Sequence, residues 1–337
     1  MPRVKRLATG KVPLEVLERC VFPRLGIPSE RVLRGAAVGE DAPIIDMGDK
    51  VLVIKANPIT GTERNIGYLA VHINANDVAT RGAKPLWFLS IILLPEMAEE
   101  RVLDKITSEV HEACSILGVQ VIGGHTECTP GLKKPLFAGF MVGEAPKNRY
   151  LSSNKPEIGD LIVMTKSGGL EGTSILANDL SHILKGKVKP ETLKRSKRLV
   201  KEISIVKEAL KAIEIGGVHA LHTPTEGGIQ NGLYEIAVSS GLGIEVFIDK
   251  IPFLPETVEV SKALGVDPLK LMSSGSLLMS VNASMVDVIV GALTDLGIKA
   301  TVIGKITPSG KPIFVSGSTR KKIEPVEQDE VYRLLSG

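Results

Sequence analysis

The chain has 337 residues, 43% of them hydrophobic, with 34 Gly and 20 Pro. That fits a globular protein with room for two domains and excludes a disordered one. Its 41 basic and 38 acidic residues net +3, which gives no electrostatic case for nucleic acid or an anionic membrane as the main partner.

The basic residues Arg3, Lys5, Arg6 and Lys11 read as a short solvated tail. Residues 13–22 have helical spacing (Leu14, Leu17, Val21) stopped by Pro23. Two apolar runs, 42–45 and 51–54, flank Gly48-Asp49 and read as a hairpin. Ile66, Leu69, Ala70 and Ile73 recur every three or four residues, so a helix with one apolar face is expected, ending at Gly82 before Pro85. A strand over 87–94, a helix over 98–117 and strands over 119–122 and 137–142 follow. The apolar run 86–95 is half of what a membrane-spanning helix needs. Residues 148–159 are polar and turn-rich, and mark the expected boundary between domains 1–150 and 155–325. Beyond it come a strand over 161–165 entering a Gly-rich turn and helix, a basic helical stretch over 193–213, a helix near 232–239, strands over 244–248, 277–281 and 301–306, and a helix over 284–296. Three cysteines, Cys20, Cys114 and Cys128, form no CxxC and are odd in number. This argues against a disulfide framework and suits a reducing cytosol.

Two aspartates stand where a carboxylate is costly. Asp41 lies in Val38-Gly39-Glu40-Asp41-Ala42-Pro43, and Asp77 lies in Asn74-Ala75-Asn76-Asp77-Val78-Ala79, continuing the apolar helix face. A charge there needs a partner or a metal. Two readings stand: a buried carboxylate held by backbone N–H groups or an Arg, and a Mg²⁺ ligand. Gly123-Gly124-His125-Thr126-Glu127 after the 119–122 strand reads as a strand-end turn, or as a turn whose N–H groups face a ligand. Ser167-Gly168-Gly169-Leu170-Glu171-Gly172-Thr173 sits between a strand and a helix, where anions bind, but is neither a Walker A sequence nor GxGxxG. In His219 to Gly228, Thr223 or Thr225 suits a helix cap, and the two histidines are an alternative metal pair. Ser273-Ser274-Gly275-Ser276 reads as a plain turn. No Ser/His/Asp order, catalytic Cys motif or HExxH is present.

In this order, these stretches resemble one superfamily, which contains aminoimidazole ribonucleotide (AIR) synthetase, the hydrogenase-maturation protein HypE, selenophosphate synthetase and thiamine-monophosphate kinase. The carriers are Gly39-Glu40-Asp41-Ala42, Asn57-Pro58-Ile59-Thr60, Asn76-Asp77-Val78-Ala79 with Gly82-Ala83-Lys84-Pro85, Gly123-Gly124-His125-Thr126, Gly159-Asp160, Gly168-Gly169 with Gly172, His222 through Gly228, and Ser274-Gly275. Gly10-Lys11-Val12-Pro13 with Phe22-Pro23-Arg24-Leu25-Gly26 looks most like the HypE branch.

The resemblance implies a two-domain α+β chain of the PurM-like fold. Its N-terminal mixed-sheet domain would form a barrel in a homodimer, and its C-terminal domain would be α/β. It implies a cytoplasmic ATP-dependent enzyme in which Mg²⁺-assisted phosphoryl transfer activates an amide or other small acceptor. Asp41 and Asp77 would hold Mg²⁺ against the triphosphate, with Asn57 assisting. Gly39, Asn76, Gly123, Gly124, Thr126, Gly168, Gly169, Gly172, Gly227 and Gly228, with both aspartates, would meet ATP. His125, Glu127 and His222 are candidates for proton transfer.

The departures thin this site. Asn57 and His125 replace carboxylates common in HypE, Glu127 replaces a Lys, and Thr223 replaces an Asp. The C-terminus reads Leu334-Leu335-Ser336-Gly337 without HypE's terminal Cys, so dehydration of the chain's own tail is not expected. A non-catalytic nucleotide-binding or maturation-assembly module is the alternative.

Overall fold

The computed structural model describes residues 12, 14–37, 41–152 and 155–335. Gly39 and the basic tail residues therefore lie outside the described residues. The N-terminal half holds α1 (Leu14–Cys20), β1 (Val32–Arg34), β2 (Ile44–Asp46), β3 (Lys50–Ile59), α2 (Ile66–Thr80), β4 (Lys84–Leu94), α3 (Glu100–Leu117), β5 (Gln120–Cys128) and β6 (Leu136–Pro146). Its strands form one sheet in the order β1-β2-β3-β6-β4-β5. Every pairing is antiparallel except β4 with β5. The expected hairpin is present, with Ile44 opposite Val53.

α2 is the centre of the molecule. All of its residues are buried, not one face only. The reason lies in what surrounds it: β3 and β6 on one side, α3 beside it, and the C-terminal half on the other. Gly143 of β6 permits the close approach, since a Cβ there would lie 2.5 Å from Val78 Cγ1 and 2.6 Å from the Lys84 carbonyl. A helix buried all round has no polar face, so a one-sided apolar pattern underestimates it.

The C-terminal half holds β7 (Leu161–Thr165), α4 (Leu170–Asp179), α5 (Ser181–Leu184), α6 (Pro190–Arg198), α7 (Val206–Ile215), β8 (Val218–His222), α8 (Gly228–Ser240), β9 (Gly243–Phe247), α9 (Pro255–Leu264), β10 (Leu278–Val281), α10 (Val286–Asp295), β11 (Ala300–Thr307), β12 (Pro312–Ser316), β13 (Thr319–Lys322) and α11 (Glu330–Leu335). Its sheet runs β13-β12-β9-β11-β7-β10-β8. The basic stretch is not one helix: α6 ends at Arg198, a 3₁₀ turn spans Leu199–Glu202, and α7 begins at Val206.

One core runs through both halves, joining α2 and α3 residues to Ile203, Ile205, Ala209 and Leu221. Asn76 brackets the junction. Its amide donates to the Ile203 carbonyl at 2.7 Å and its oxygen accepts from the Ile205 N–H at 2.9 Å.

A correction concerns Gly123 to Glu127, read above as a turn. They lie inside β5, which runs on past them to Cys128. A Cβ at Gly124 would stand 2.0 Å from the Ser90 carbonyl, so a glycine there lets β5 pair tightly with β4.

Candidate functional site

The two motif aspartates come together with His222 at the junction of the halves. Asp41 enters from the loop before β2, and Asp77 from the last turns of α2. Lys55 and Asn57, two apart on β3, point to one face of that strand. Arg81 follows α2, while His222 and Thr223 leave the end of β8.

Every carboxylate oxygen of the pair accepts a protein donor. Asp41 Oδ2 takes Arg81 Nη2 at 2.8 Å and Thr80 Oγ1 at 3.2 Å, while Asp41 Oδ1 lies 3.1 Å from His222 Nδ1. Asp77 Oδ2 takes Asn57 Nδ2 at 2.9 Å and lies 3.0 Å from Lys55 Nζ, and Asp77 Oδ1 takes Thr223 Oγ1 at 2.9 Å. The Lys55 ammonium also donates to the Asp41 carbonyl at 2.6 Å. His222 Nε2 faces Glu235 Oε2 at 2.9 Å. The chain Glu235–His222–Asp41–Arg81 thus ties α8 and β8 to the N-terminal half.

The electrostatics follow from this pairing. Burial alone disfavours a charged His222, yet Asp41 and Glu235 overcome it and push its pKa up to about 10. Burial likewise opposes the Asp41 carboxylate, but His222, Arg81 and Lys55 draw its pKa well below the usual range. Three cations therefore stand against three carboxylates in a closed network.

Magnesium at Asp41, Asn57 and Asp77 does not fit this arrangement. The carboxylate oxygens are taken, and Asn57 faces Asp77 with its amide nitrogen, a donor. Among the described residues no three His, Cys, Asp or Glu side chains gather as a metal site. A hard cation would have to compete with Lys55, Arg81 or His222, or at Asp77 Oδ1 with the Thr223 hydroxyl. The buried-carboxylate reading, with an Arg as partner, describes Asp41, and a Lys plays that part for Asp77.

The other expected site residues lie elsewhere. His125 and Glu127 pair with each other at 3.0 Å on the exposed β5, beside Gly123, Gly124 and Thr126. Asn76 serves the junction described above. The five glycines of the C-terminal half converge, but their N–H groups have protein partners. Gly168 donates to the Pro252 carbonyl, Gly169 to Ser273 Oγ, Gly172 to the Met272 carbonyl, Gly227 to Asp329 Oδ2 and Gly228 to the Thr225 carbonyl. Close packing also requires some of them, since a Cβ at Gly228 would sit 2.6 Å from two carbonyls.

Around these turns lies a second group of carboxyls, Glu171 and Glu226 from the motifs quoted above and Asp329 from outside them. Burial raises both Glu171 and Asp329 to about 7, with Glu226 adding to each. The Tyr332 hydroxyl of α11 donates to Glu226 Oε1 at 2.9 Å and lies 3.2 Å from Thr60 Oγ1, spanning the two halves. Lys55, Arg81 and Glu235 were also missed. Lys55 was within reach of the sequence, two residues before Asn57 on a strand; Arg81 and Glu235 belong to no motif.

Residues 39–145 match the N-terminal domain of the AIR synthase related proteins, and residues 157–316 match the C-terminal domain. Over 323 residues the chain is 27% identical to a provisionally named hydrogenase expression/formation protein of Methanocaldococcus jannaschii, covering 94% of each. It is 30% identical over 250 residues to the carbamoyl dehydratase HypE of Rhizobium leguminosarum bv. viciae, covering 72% of this chain and 68% of the relative. Among solved structures, HypE in its complex with HypF superposes with a TM-score of 0.77 at 19% identity, over 92% of this chain and 99% of that one. HypE in complex with ATP gives 0.73 at 21% identity, over 96% and 98%. AaThiL complexed with AMPPCP and TMP gives 0.69 at 19% identity, over 86% and 92%. These likenesses show the two-domain α+β fold.

Proposed function

Because the chain belongs to the AIR synthase related protein family, we propose that it binds ATP and transfers the γ-phosphoryl group to the oxygen of an amide or another small acceptor. The observation that carries the reading is the meeting of Asp41, Asp77 and His222. They come from three separated motifs of the two halves, and they form one buried ionic network where the halves join. Relatives on the same fold have been solved with ATP and with AMPPCP.

In this reading the acceptor oxygen attacks the γ-phosphorus, the bond to the β-phosphate oxygen breaks, and ADP leaves. An amide oxygen so phosphorylated departs later as phosphate. Such transfer depends on positioning and on neutralising phosphate charge. Lys55, Arg81 and His222 are the cations of this junction network, and they fix Asp41 and Asp77 in place. His222 between Asp41 and Glu235 is the remaining candidate for handling a proton. No step is routed through a metal at Asp41, Asn57 or Asp77.

The protein would act as an intracellular homodimer. Among the described residues β5 has no partner strand on its outer edge, and its Val121 and Ile122 are 44% and 52% exposed. An open apolar edge of this kind invites pairing with a second copy. No helix among the described residues is long and apolar enough to cross a membrane.

A second reading, a nucleotide-binding or assembly module without turnover, draws on the saturated carboxylates and the occupied glycine N–H groups. The test is ATP turnover against a panel of primary amides and carbamoyl compounds. Release of ADP that depends on one of them supports the enzyme; ATP binding with no ADP from any of them supports the module.

A further inference from the structure

The basic stretch of the sequence takes no part in the junction network. Residues 185–201 carry eight basic side chains against one acid, a net of +7, so the rest of the chain nets −4 within the overall +3. Three of the eight have partners: Arg195 pairs with Glu256, Lys201 with Glu112, and Lys197 donates to Ser181 Oγ at 2.8 Å. Lys185, Lys187, Lys189, Lys194 and Arg198 are exposed, and among the described residues none of their side chains forms an ion pair, although the Glu259 carboxylate sits at Lys189 and accepts its main-chain N–H at 2.7 Å.

These cations frame an open groove of about 390 Å³ beside α6. Val188, Pro190 and Leu193 form its apolar floor, and Lys185, Lys194 and Lys197 its rim. Val188 and Leu193 are themselves anchored in the core beneath α4 and α9, so the floor is fixed. An apolar floor with a rim of one sign asks for a ligand that is apolar in the middle and anionic at its edges.

We propose that this groove docks an acidic peptide segment of a partner protein, seating an apolar side chain between carboxylates that meet the lysines. Three observations favour a peptide. The cations extend from Lys185 before α6 to Arg198 at its end, and α6 alone spans about 13 Å, so an occupant that meets them all is extended. Residues 183–201 contain no Phe, Tyr, Trp or His side chain on which a base could stack. The remainder of the chain is net negative, which repels a long polyanion outside the patch but tolerates a short acidic segment.

The test is fluorescence anisotropy on the full-length protein at physiological salt. The probe is a fluorescein-labelled peptide of about a dozen residues, Glu and Asp with Leu at every third or fourth position. Controls are the same peptide with Ala for Leu and a labelled oligothymidylate of equal charge. We expect saturable peptide binding, weakened at least about tenfold in the double variant Lys185→Glu, Lys194→Glu, and similarly weakened for the Ala peptide and the oligonucleotide. The milder Lys194→Gln, which removes an exposed charge only, should weaken it too. Peptide binding that does not saturate, that survives the double variant, or that is matched by the Ala peptide or the oligonucleotide would overturn the proposal.

Discussion

Arg81 donates to Asp41 at 2.8 Å although no part of the Arg81 side chain reaches solvent. The same guanidinium nitrogen lies 3.4 Å from the Leu221 carbonyl, so one buried cation joins the loop before β2 to the strand that ends in His222. Removing one member of a buried ion pair leaves the other uncompensated, at a cost of about 3–5 kcal/mol. Arg81→Met should therefore lower the stability by about that amount, read as a fall in the urea midpoint. An unchanged midpoint would show that Asp41 does not depend on Arg81.

The pH dependence has a definite sign. Burial raises Glu171 and Asp329 to about 7, and Asp41 with Glu235 raises His222 against the effect of its burial. Each of these groups holds its proton more tightly folded than unfolded, so its contribution is full below the unfolded value and is lost as pH rises through the folded one. For the two carboxyls the window runs from about 4 to 7, and for His222 from about 6.5 to 10. Asp41 is depressed instead, and its contribution disappears as pH falls below about 4. Thermal unfolding should give the highest midpoint near about pH 4 and a steady fall towards about pH 10. A midpoint that rises between neutral and alkaline pH would contradict these environments.

Tyr332 reaches across the halves with a single hydroxyl, 2.9 Å from Glu226 and 3.2 Å from Thr60. Tyr332→Phe keeps the ring and deletes that bridge. A loss of about 1–2 kcal/mol is expected, because Glu226 gives up a donor in a partly buried place. Equilibrium urea unfolding of the two proteins side by side checks this, and identical curves would deny the bridge any role.

The saturated carboxylates predict indifference to free magnesium. A ligand of the folded state stabilises it in proportion to the logarithm of one plus the ratio of its free concentration to its dissociation constant. Millimolar MgCl₂ without nucleotide should therefore move the melting temperature by less than about 1 °C, and EDTA should not lower it. A rise of several degrees that vanishes in Asp77→Asn would restore the metal reading.

The readability of the sequence varied with the range of the interaction. The Gly48-Asp49 hairpin and the strand before Gly168 depend on neighbours a few residues away, and both stand where the local pattern puts them. Gly123-Gly124 does not, because a double glycine reads as a turn until β4 is known to lie against it and to leave no room for a Cβ at Gly124. The burial of α2 on all sides depends on β6, α3 and the C-terminal half together, and no window of its own residues contains that information. At the junction, Asp41, Asp77 and His222 were visible as motifs. Their partners Arg81, Thr223 and Glu235 come from distances of up to 146 residues in the chain and were visible only once folded. The glycines near 168 and 227 were legible as special, but their N–H groups proved to bind protein acceptors, most of them distant in the chain.

The central claim, that the junction of the two halves belongs to an ATP-binding enzyme, is tested most directly by titrating the wild-type chain with a non-hydrolysable ATP analogue in a calorimeter, alongside the double variant Lys55→Ala, His222→Ala, which removes two of the junction cations that would neutralise phosphate charge. The account predicts saturable binding by the wild type, and loss of that binding in a variant whose circular dichroism shows it to be folded. No heat from the wild type at millimolar nucleotide, or equal affinity in a folded double variant, would contradict it.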